Sequence, residues 1–270
     1  MSHLKASATV ASIVLLWLLA PATPAGADPA AASPQSSALP YEEPRHFVGT
    51  IFEMSPNPKK VLFKSERTAS RAGSRVQVLC DYTAADGASV AHEKMVYEAD
   101  KLATYELNEL QTGDKGSVAV RPDPKNPAKL RVYFEFIPGQ GGEAKKKANS
   151  EALEKETLVD DMIPAFISSQ WNTLMSGAPV KFRYIALSRT ETVGFKLTRE
   201  SETNCQGARA VRIKMEPTSL IIAQLVDPLF FIVEKNEPHR ILEYIGRTTP
   251  VIKKGNKWAD LDAVTDFDYK

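Results

Sequence analysis

Apolar and polar residues alternate in many short stretches of the chain from about residue 47 onward. In residues 74–83, SRVQVLCDYT, the alternation places Val76, Val78, Cys80 and Tyr82 on one face of an extended strand. The same period of two recurs in residues 129–137, 180–189, 192–198 and 210–216. A strand with this pattern buries one face and exposes the other, which is typical of antiparallel sheets.

One stretch has a helical period instead. Residues 157–177, TLVDDMIPAFISSQWNTLMSG, carry apolar residues spaced about four apart and predict an amphipathic helix over about residues 161–176. Asp160 or Asp161 can cap its start, and Gly177 can end it. A spacing of four drifts around a helix that has 3.6 residues per turn, so the apolar stripe is broad. We therefore expect a curved sheet that wraps this helix.

The other local signals fit the same architecture. Turns that contain glycine separate the predicted strands at residues 84–89, 111–117 and 253–257. Residues 218–228, TSLIIAQLVDP, predict a short helix, and residues 228–247 predict a closing hairpin. The sequence thus predicts a mainly β (α+β) fold, in which a strongly curved antiparallel sheet wraps one central amphipathic helix, with one further short helix.

The first residues have the pattern of an export signal. Lys5 precedes an apolar run of about thirteen residues, and Ala25 and Ala27 form a small-x-small cleavage site. The run is shorter than the roughly twenty residues that a membrane-spanning helix needs. We expect residues 1–27 to be a signal peptide cleaved near Ala27, and the product to be a soluble protein of a bacterial periplasm, with no stable membrane span after cleavage.

Composition divides the rest of the chain. Residues 28–45 are rich in Pro, Ala and Ser and predict a disordered leader. Residues 46–270 predict a single curved-sheet domain, and the Gly- and Lys-rich stretch 138–150 is the place for an internal boundary if there are two domains.

The charge balance argues against one class of partner. The chain has 34 Lys and Arg and 33 Asp and Glu, and loss of Lys5 with the signal peptide makes the two numbers equal. A net charge near zero provides no general attraction for polyanions. We therefore expect no nucleic-acid partner.

Two cysteines, Cys80 and Cys205, remain in the mature chain. In an oxidising compartment they are a candidate disulfide, which closes a long loop and contributes about 3–5 kcal/mol in the chain-entropy model. The alternative is two free thiols, because Cys80 follows the buried face of a strand whereas Cys205 lies in a polar stretch.

Ligand-pocket candidates come from two places in the chain. The apolar helix face carries Phe166, Trp171, Leu174 and Met175, which either fill an ordinary core or line a cavity for an apolar ligand. Arg240 and Arg247 can hold a lipid head group at the mouth of a pocket, or they are ordinary surface charges.

No motif indicates catalysis. The histidines His46, His92 and His239 lack metal-ligand spacing, and His92–Glu93 is interpreted as a polar pair on the wet face of a strand. A Ser–His–acid triad can be assembled by count from any sequence of this composition, and no nucleophile elbow is present. We expect no enzymatic activity, no cofactor and no metal.

The order of elements in the last 110 residues or so carries a resemblance. The helix, the segment GAPVKFRYIALSRTETVGFKL and the segment that ends in RILEYIGRTTP resemble exported bacterial proteins of unknown function. Those proteins are distantly similar to the periplasmic carriers of lipoproteins, whose curved half-barrel sheet closes over helices. The resemblance implies an apolar concavity under a helical lid.

Two functional hypotheses follow. The first is a non-enzymatic binder or carrier of an apolar, lipid-like ligand in the concavity of the half-barrel. The second is a structural or interaction protein of the cell envelope, with a filled core and an envelope protein as its partner. An unfilled cavity beside the helix distinguishes the first from the second.

Overall fold

The computed structural model describes residues 40–54, 60–139, 145–223 and 227–269, so the predicted signal peptide and most of the predicted leader lie outside the described residues. The first half contains β1 (His46–Glu53), β2 (Val61–Ala72), β3 (Arg75–Ala84), β4 (Ser89–Glu98), β5 (Lys101–Glu109), β6 (Lys115–Asp123), β7 (Asn126–Ile137) and β8 (Lys147–Ala152). The second half contains β9 (Thr157–Leu158), β10 (Val180–Ala186), β11 (Glu191–Cys205), β12 (Ala208–Pro217), β13 (Leu229–Glu234), β14 (Ile241–Arg247), β15 (Ile252–Lys254), β16 (Lys257–Ala259) and β17 (Asp262–Tyr269).

Fifteen of these strands form one sheet, in the order β8-β7-β6-β5-β4-β3-β2-β1-β17-β14-β13-β12-β11-β10-β9. Neighbouring strands are antiparallel except for β9 and β10, which are parallel. Strands on both sides of residues 138–150 belong to this sheet. The predicted fold class, a mainly β protein built on a large curved antiparallel sheet, is confirmed.

The sheet rolls up until side chains from its two end regions meet. The carboxylate of Glu151 on β8 accepts hydrogen bonds from the backbone N–H of Thr192 (3.1 Å) and from its hydroxyl (2.7 Å). Beside it, the Asn149 side chain donates to the Thr190 carbonyl at 2.9 Å. Because these contacts come from side chains rather than from a backbone ladder, the barrel is closed only in part.

The central helical segment is confirmed, although it is not one continuous helix. A 3-10 turn (Asp160–Met162) leads into α1 (Ile163–Ser169), and α2 (Trp171–Met175) follows after a break at Gln170. The prediction that Asp160 or Asp161 caps the helix start is wrong. The residue before the 3-10 turn is Val159, and no side chain caps the start of either helix. The further short helix, α3, comprises Leu220–Ala223.

The helical segment fills much of the barrel interior. Its buried side chains join one cluster with residues from both halves of the sheet, including Val78 and Phe134 in the first half and Leu197 and Ile213 in the second. The buried helical side chains are Met162, Ile163, Phe166, Ile167 and Leu174. The sheet thus wraps the helix, as the broad apolar stripe predicts.

The predicted hairpin forms between β13 and β14, but it does not close the sheet. Strand β17 comes later in the chain and pairs with both β14 and β1, so it joins the two halves of the sheet. The predicted leader also differs, because residues 40–45 pack against the sheet: Glu42 is buried, and the ring of Tyr41 stacks on Tyr97 at 4.2 Å. Within the described residues, no helix has the length and apolarity to cross a membrane.

Candidate functional site

The 3-10 turn at the start of the helical segment places Asp160 inside the barrel. Its carboxylate accepts a hydrogen bond from the Tyr184 hydroxyl on β10, at 3.0 Å. Its charge raises the pKa values of Glu93 and Tyr105 on one wall and of Tyr244 on the opposite wall. Asp160 nevertheless keeps solvent-exposed surface. We therefore take the surroundings of Asp160, between these side chains, as the candidate site and call them the chamber.

Glu93 on β4 is the second carboxyl group of the chamber, and it is 5% exposed. It accepts hydrogen bonds from the hydroxyls of Thr249 (2.7 Å), Tyr105 (3.3 Å) and Tyr82 (3.4 Å). No Lys or Arg of the described chain forms an ion pair with it. Burial, reinforced by the charge of Asp160, raises the pKa of Glu93 to about 7. Glu93 therefore changes its protonation state near neutral pH.

Asp160 itself has a raised pKa, mainly because it is enclosed by protein and secondly because Asp161 is close. The hydrogen bond from Tyr184 opposes this shift by stabilising the carboxylate. Burial also raises the pKa values of Tyr82, Tyr105, Tyr184 and Tyr244, so their hydroxyls stay protonated. The chamber thus combines two carboxyl groups with neutral phenol hydroxyls.

The neighbouring Asp161 has a different role. Its carboxylate pairs with Arg67 of β2 at 2.5 Å and accepts a hydrogen bond from the Tyr97 hydroxyl at 2.8 Å. Arg67 is 4% exposed and also donates to the backbone carbonyls of Tyr41 and Pro44. Arg67 therefore fastens residues 40–45 and the start of the helical segment to the same strand. The charge of Asp161 is thus balanced by the Arg67 guanidinium, whereas Asp160 forms no ion pair within the described residues.

Cys80 and Cys205 do not form a disulfide with each other. Cys80 lies on the inner side of the sheet beside Glu93, its partner across the ladder between β3 and β4. Burial raises the pKa of the Cys80 thiol, which favours its protonated form. Cys205 packs with a separate apolar cluster that contains Ile232 and Leu242. The candidate disulfide is absent from this structure.

The structure does not gather the predicted pocket residues around one cavity. Phe166 and Leu174 are packed in the core, and Met175 is half-buried at its edge. Trp171 is also half-buried, and its ring stacks on His239 at 3.9 Å beside a cleft of about 310 Å³.

The two predicted head-group arginines lie on the surface. Arg240 is exposed and lies over the ring of Tyr269, 5.2 Å from its centroid. Arg247 is exposed and pairs with Asp260 and Asp262. Both contacts fit the surface-charge alternative that the sequence leaves open.

Sequence reasoning missed the residues that do line the chamber. Tyr82 and Tyr184 follow the apolar phase of their strands, which assigns them to the buried face without revealing a polar cavity there. The prediction for His92–Glu93 is half wrong: His92 lies on the outer face, whereas Glu93 shares the inner face with Met95 and Tyr97. The sequence signal for a buried carboxyl group was that Glu93 alternates in phase with the apolar residues Met95 and Tyr97.

Within the described parts of the chain, no group of three or more His, Cys, Asp or Glu residues is arranged to hold a metal ion. No protein-family model matches the chain. No curated protein matches it either. Among solved structures, the chain is similar to a β-barrel-like protein of a domain of unknown function, DUF1849, from Brucella abortus. The identity is 6%, the match covers 83% of this chain and 96% of that one, and the TM-score is 0.36.

Proposed function

We propose that this protein is an exported binder or carrier of a lipid-like ligand in a bacterial periplasm, and that the ligand enters the chamber around Asp160. The observation that carries the proposal is the position of Asp160, accessible to water and enclosed by strands from opposite walls. The signal-like pattern of residues 1–27 supports the proposed export.

The chemistry of the chamber favours one kind of head group. Asp160 has no cationic partner among the described residues, so its carboxylate leaves an unmet demand for a hydrogen-bond donor or a positive charge. Glu93 also has no cationic partner there, but three hydroxyl groups already donate to its carboxyl group. A hydroxyl or ammonium head group meets this demand, whereas a carboxylate is repelled. The ligand that fits best is therefore an amphiphile with a donor head group.

Aromatic rings behind the chamber suit the apolar part of such a ligand. Tyr184 packs edge-on against Phe195 at 5.7 Å, and Tyr244 packs against Phe231 at 5.2 Å. Aromatic walls that carry a few polar groups are typical of small-molecule sites.

A second candidate function is a structural or interaction protein of the envelope. The observation that favours it is the filled helix face, on which Leu174 and Ile167 are both 0% exposed. On this alternative the chamber holds water only and the partner is an envelope protein.

The first test is native mass spectrometry of the protein purified gently from an exporting host, followed by organic extraction of any adduct. The binder proposal expects a stoichiometric adduct that carries a hydroxyl or amine group and that is lost from Asp160→Asn but retained by the exposed control Asp268→Asn. A clean mass in every preparation, with no uptake of added amphiphiles, contradicts the proposal and favours the structural alternative.

A further inference from the structure

The outer face of the sheet carries a second, independent arrangement. We propose that Ser89, His92 and Asp81 form a nucleophile–base–acid triad that hydrolyses small acyl esters. The Ser89 Oγ lies 3.1 Å from His92 Nε2, and His92 Nδ1 lies 2.5 Å from Asp81 Oδ1. A nucleophile within hydrogen-bond reach of a base, which a third group orients in turn, is the geometry that identifies such sites on unrelated folds.

A β-bulge makes this geometry possible. Ser89 and His92 are three residues apart, so a regular strand would point them to opposite faces of the sheet. The pairing between β3 and β4 shifts register at Val90, so that Tyr82 faces Ala91 while Thr83 faces Ser89. The bulge turns Ser89 to the outer face, and Val90, which is buried, anchors it from the inner side.

The hydrogen bonds fix the roles of the two imidazole nitrogens. The Asp81 carboxylate only accepts, so His92 donates from Nδ1–H to it. The lone pair on Nε2 is then free to accept the Ser89 hydroxyl proton. This tautomer is the one that a general base needs, and Asp81 stabilises the imidazolium that forms when the base accepts a proton.

A cleft of about 680 Å³ adjoins the triad and provides room for a substrate. Asp81, His92, Asn108 and Lys115 line it and lie in one row across β3, β4, β5 and β6. The Asn108 amide and the Lys115 ammonium are the nearest groups in that row that can stabilise a developing oxyanion. Side-chain exposures of 52% for Asp81 and 44% for His92 leave the site open to water and to small substrates.

The proposed reaction consumes one ester and one water. The Ser89 Oγ attacks the acyl carbon while its proton moves to His92 Nε2, and the bond to the leaving alkoxide then breaks as that oxygen takes the proton. Water attacks the resulting acyl-Ser89, gives a proton to Nε2, and the Ser89 Oγ leaves with this proton. The products are a carboxylic acid and an alcohol, with no net change of the protein.

The test is hydrolysis of p-nitrophenyl acetate by the full chain and by three variants. We expect turnover above the buffer rate in the wild type, and loss of at least about 100-fold of it in both Ser89→Ala and His92→Ala. Ser70→Ala, which changes an exposed serine on β2, is the matched control and should retain wild-type activity. Because the triad residues lie at the surface, thermal unfolding should be unchanged in all variants.

Covalent labelling gives a second readout. A fluorophosphonate probe should add to Ser89 in the wild type, and His92→Ala should abolish the adduct. Equal hydrolysis by the wild type and Ser89→Ala, or labelling that does not depend on His92, overturns the proposal. Ser89 and His92 lie on the outer face of the sheet, so this result does not depend on ligand binding in the chamber.

Discussion

The behaviour of Glu93 follows from what surrounds it. Its carboxyl group is buried, hydroxyl groups are its hydrogen-bond partners, and the nearby charge is the negative charge of Asp160. Each of the two main influences, burial and like charge, favours the protonated form. Glu93 therefore weakens the folded state whenever the pH forces it to ionise.

This predicts how stability depends on pH. The pKa of Glu93 is about 7 in the folded protein and 4.5 in an ordinary environment, so between these values only the folded state holds the proton. The free energy of unfolding should fall as the pH rises through this window, by at most roughly 3 kcal/mol from this group. Glu93→Gln should remove that part of the slope, as measured by urea unfolding at pH 5 and pH 8. Parallel pH profiles for the wild type and the variant contradict the assignment.

Glu93 and Ser89 on β4 show what the alternation of residues along one strand can and cannot predict. Residues two apart in a strand lie on the same face, so Glu93 shares the face of Met95, and both side chains are buried. The same rule gives the wrong face for Ser89, because a single bulge at Val90 reverses the face of the strand residues before it. A bulge depends on contacts with other strands, so an alternating pattern in one strand does not predict it.

At the scale of elements, the central helix is the part that the sequence predicts best. Its apolar spacing is long and regular enough to overcome the local ambiguity between helix and strand. The break at Gln170 and the replacement of the expected cap are not visible in that spacing. The expected cap is replaced because Asp160 and Asp161 bond to Tyr184 and Arg67, which lie far away in the chain.

The packing of the helix predicts an order of mutational effects. Leu174 is 0% exposed in the main core, so Leu174→Ala should cost about 2–5 kcal/mol of unfolding free energy. Trp171 is half-buried at the edge of this core and stacks on His239, so Trp171→Ala should cost only about 1–2 kcal/mol. Urea unfolding of the two variants tests this order. A larger loss for Trp171→Ala than for Leu174→Ala is incompatible with the packing described.

At the scale of the whole molecule, partial closure brings the two end regions of the sheet together. The contact between Glu151 and Thr192 joins residues from the two ends of the sheet order, and β17 joins its two halves. The sequence predicts a curved sheet around a helix, but it does not predict which edges meet. Closure depends on pairs of side chains that are distant in the chain, and the alternation of apolar residues carries no information about such pairs.

The filled and the open parts of the interior are therefore distinct. The helix face that the sequence offered as a pocket is packed, whereas Asp160 at the start of the helical segment is exposed. In the proposed function, this position combines the rings of Tyr184 and Tyr244 with the carboxyl groups of Asp160 and Glu93.

The most direct test of the account is a calorimetric titration of the wild type and of Asp160→Asn, with dodecylamine and dodecanoate as ligands of equal chain length. The account predicts that the amine binds the wild type with one-to-one stoichiometry and binds Asp160→Asn about 10- to 100-fold more weakly, since a charge-assisted hydrogen bond contributes about 1.5–3 kcal/mol. Dodecanoate should bind neither protein well. Equal binding of the two ligands, or amine binding that Asp160→Asn leaves unchanged, contradicts the assignment of the chamber as the ligand site.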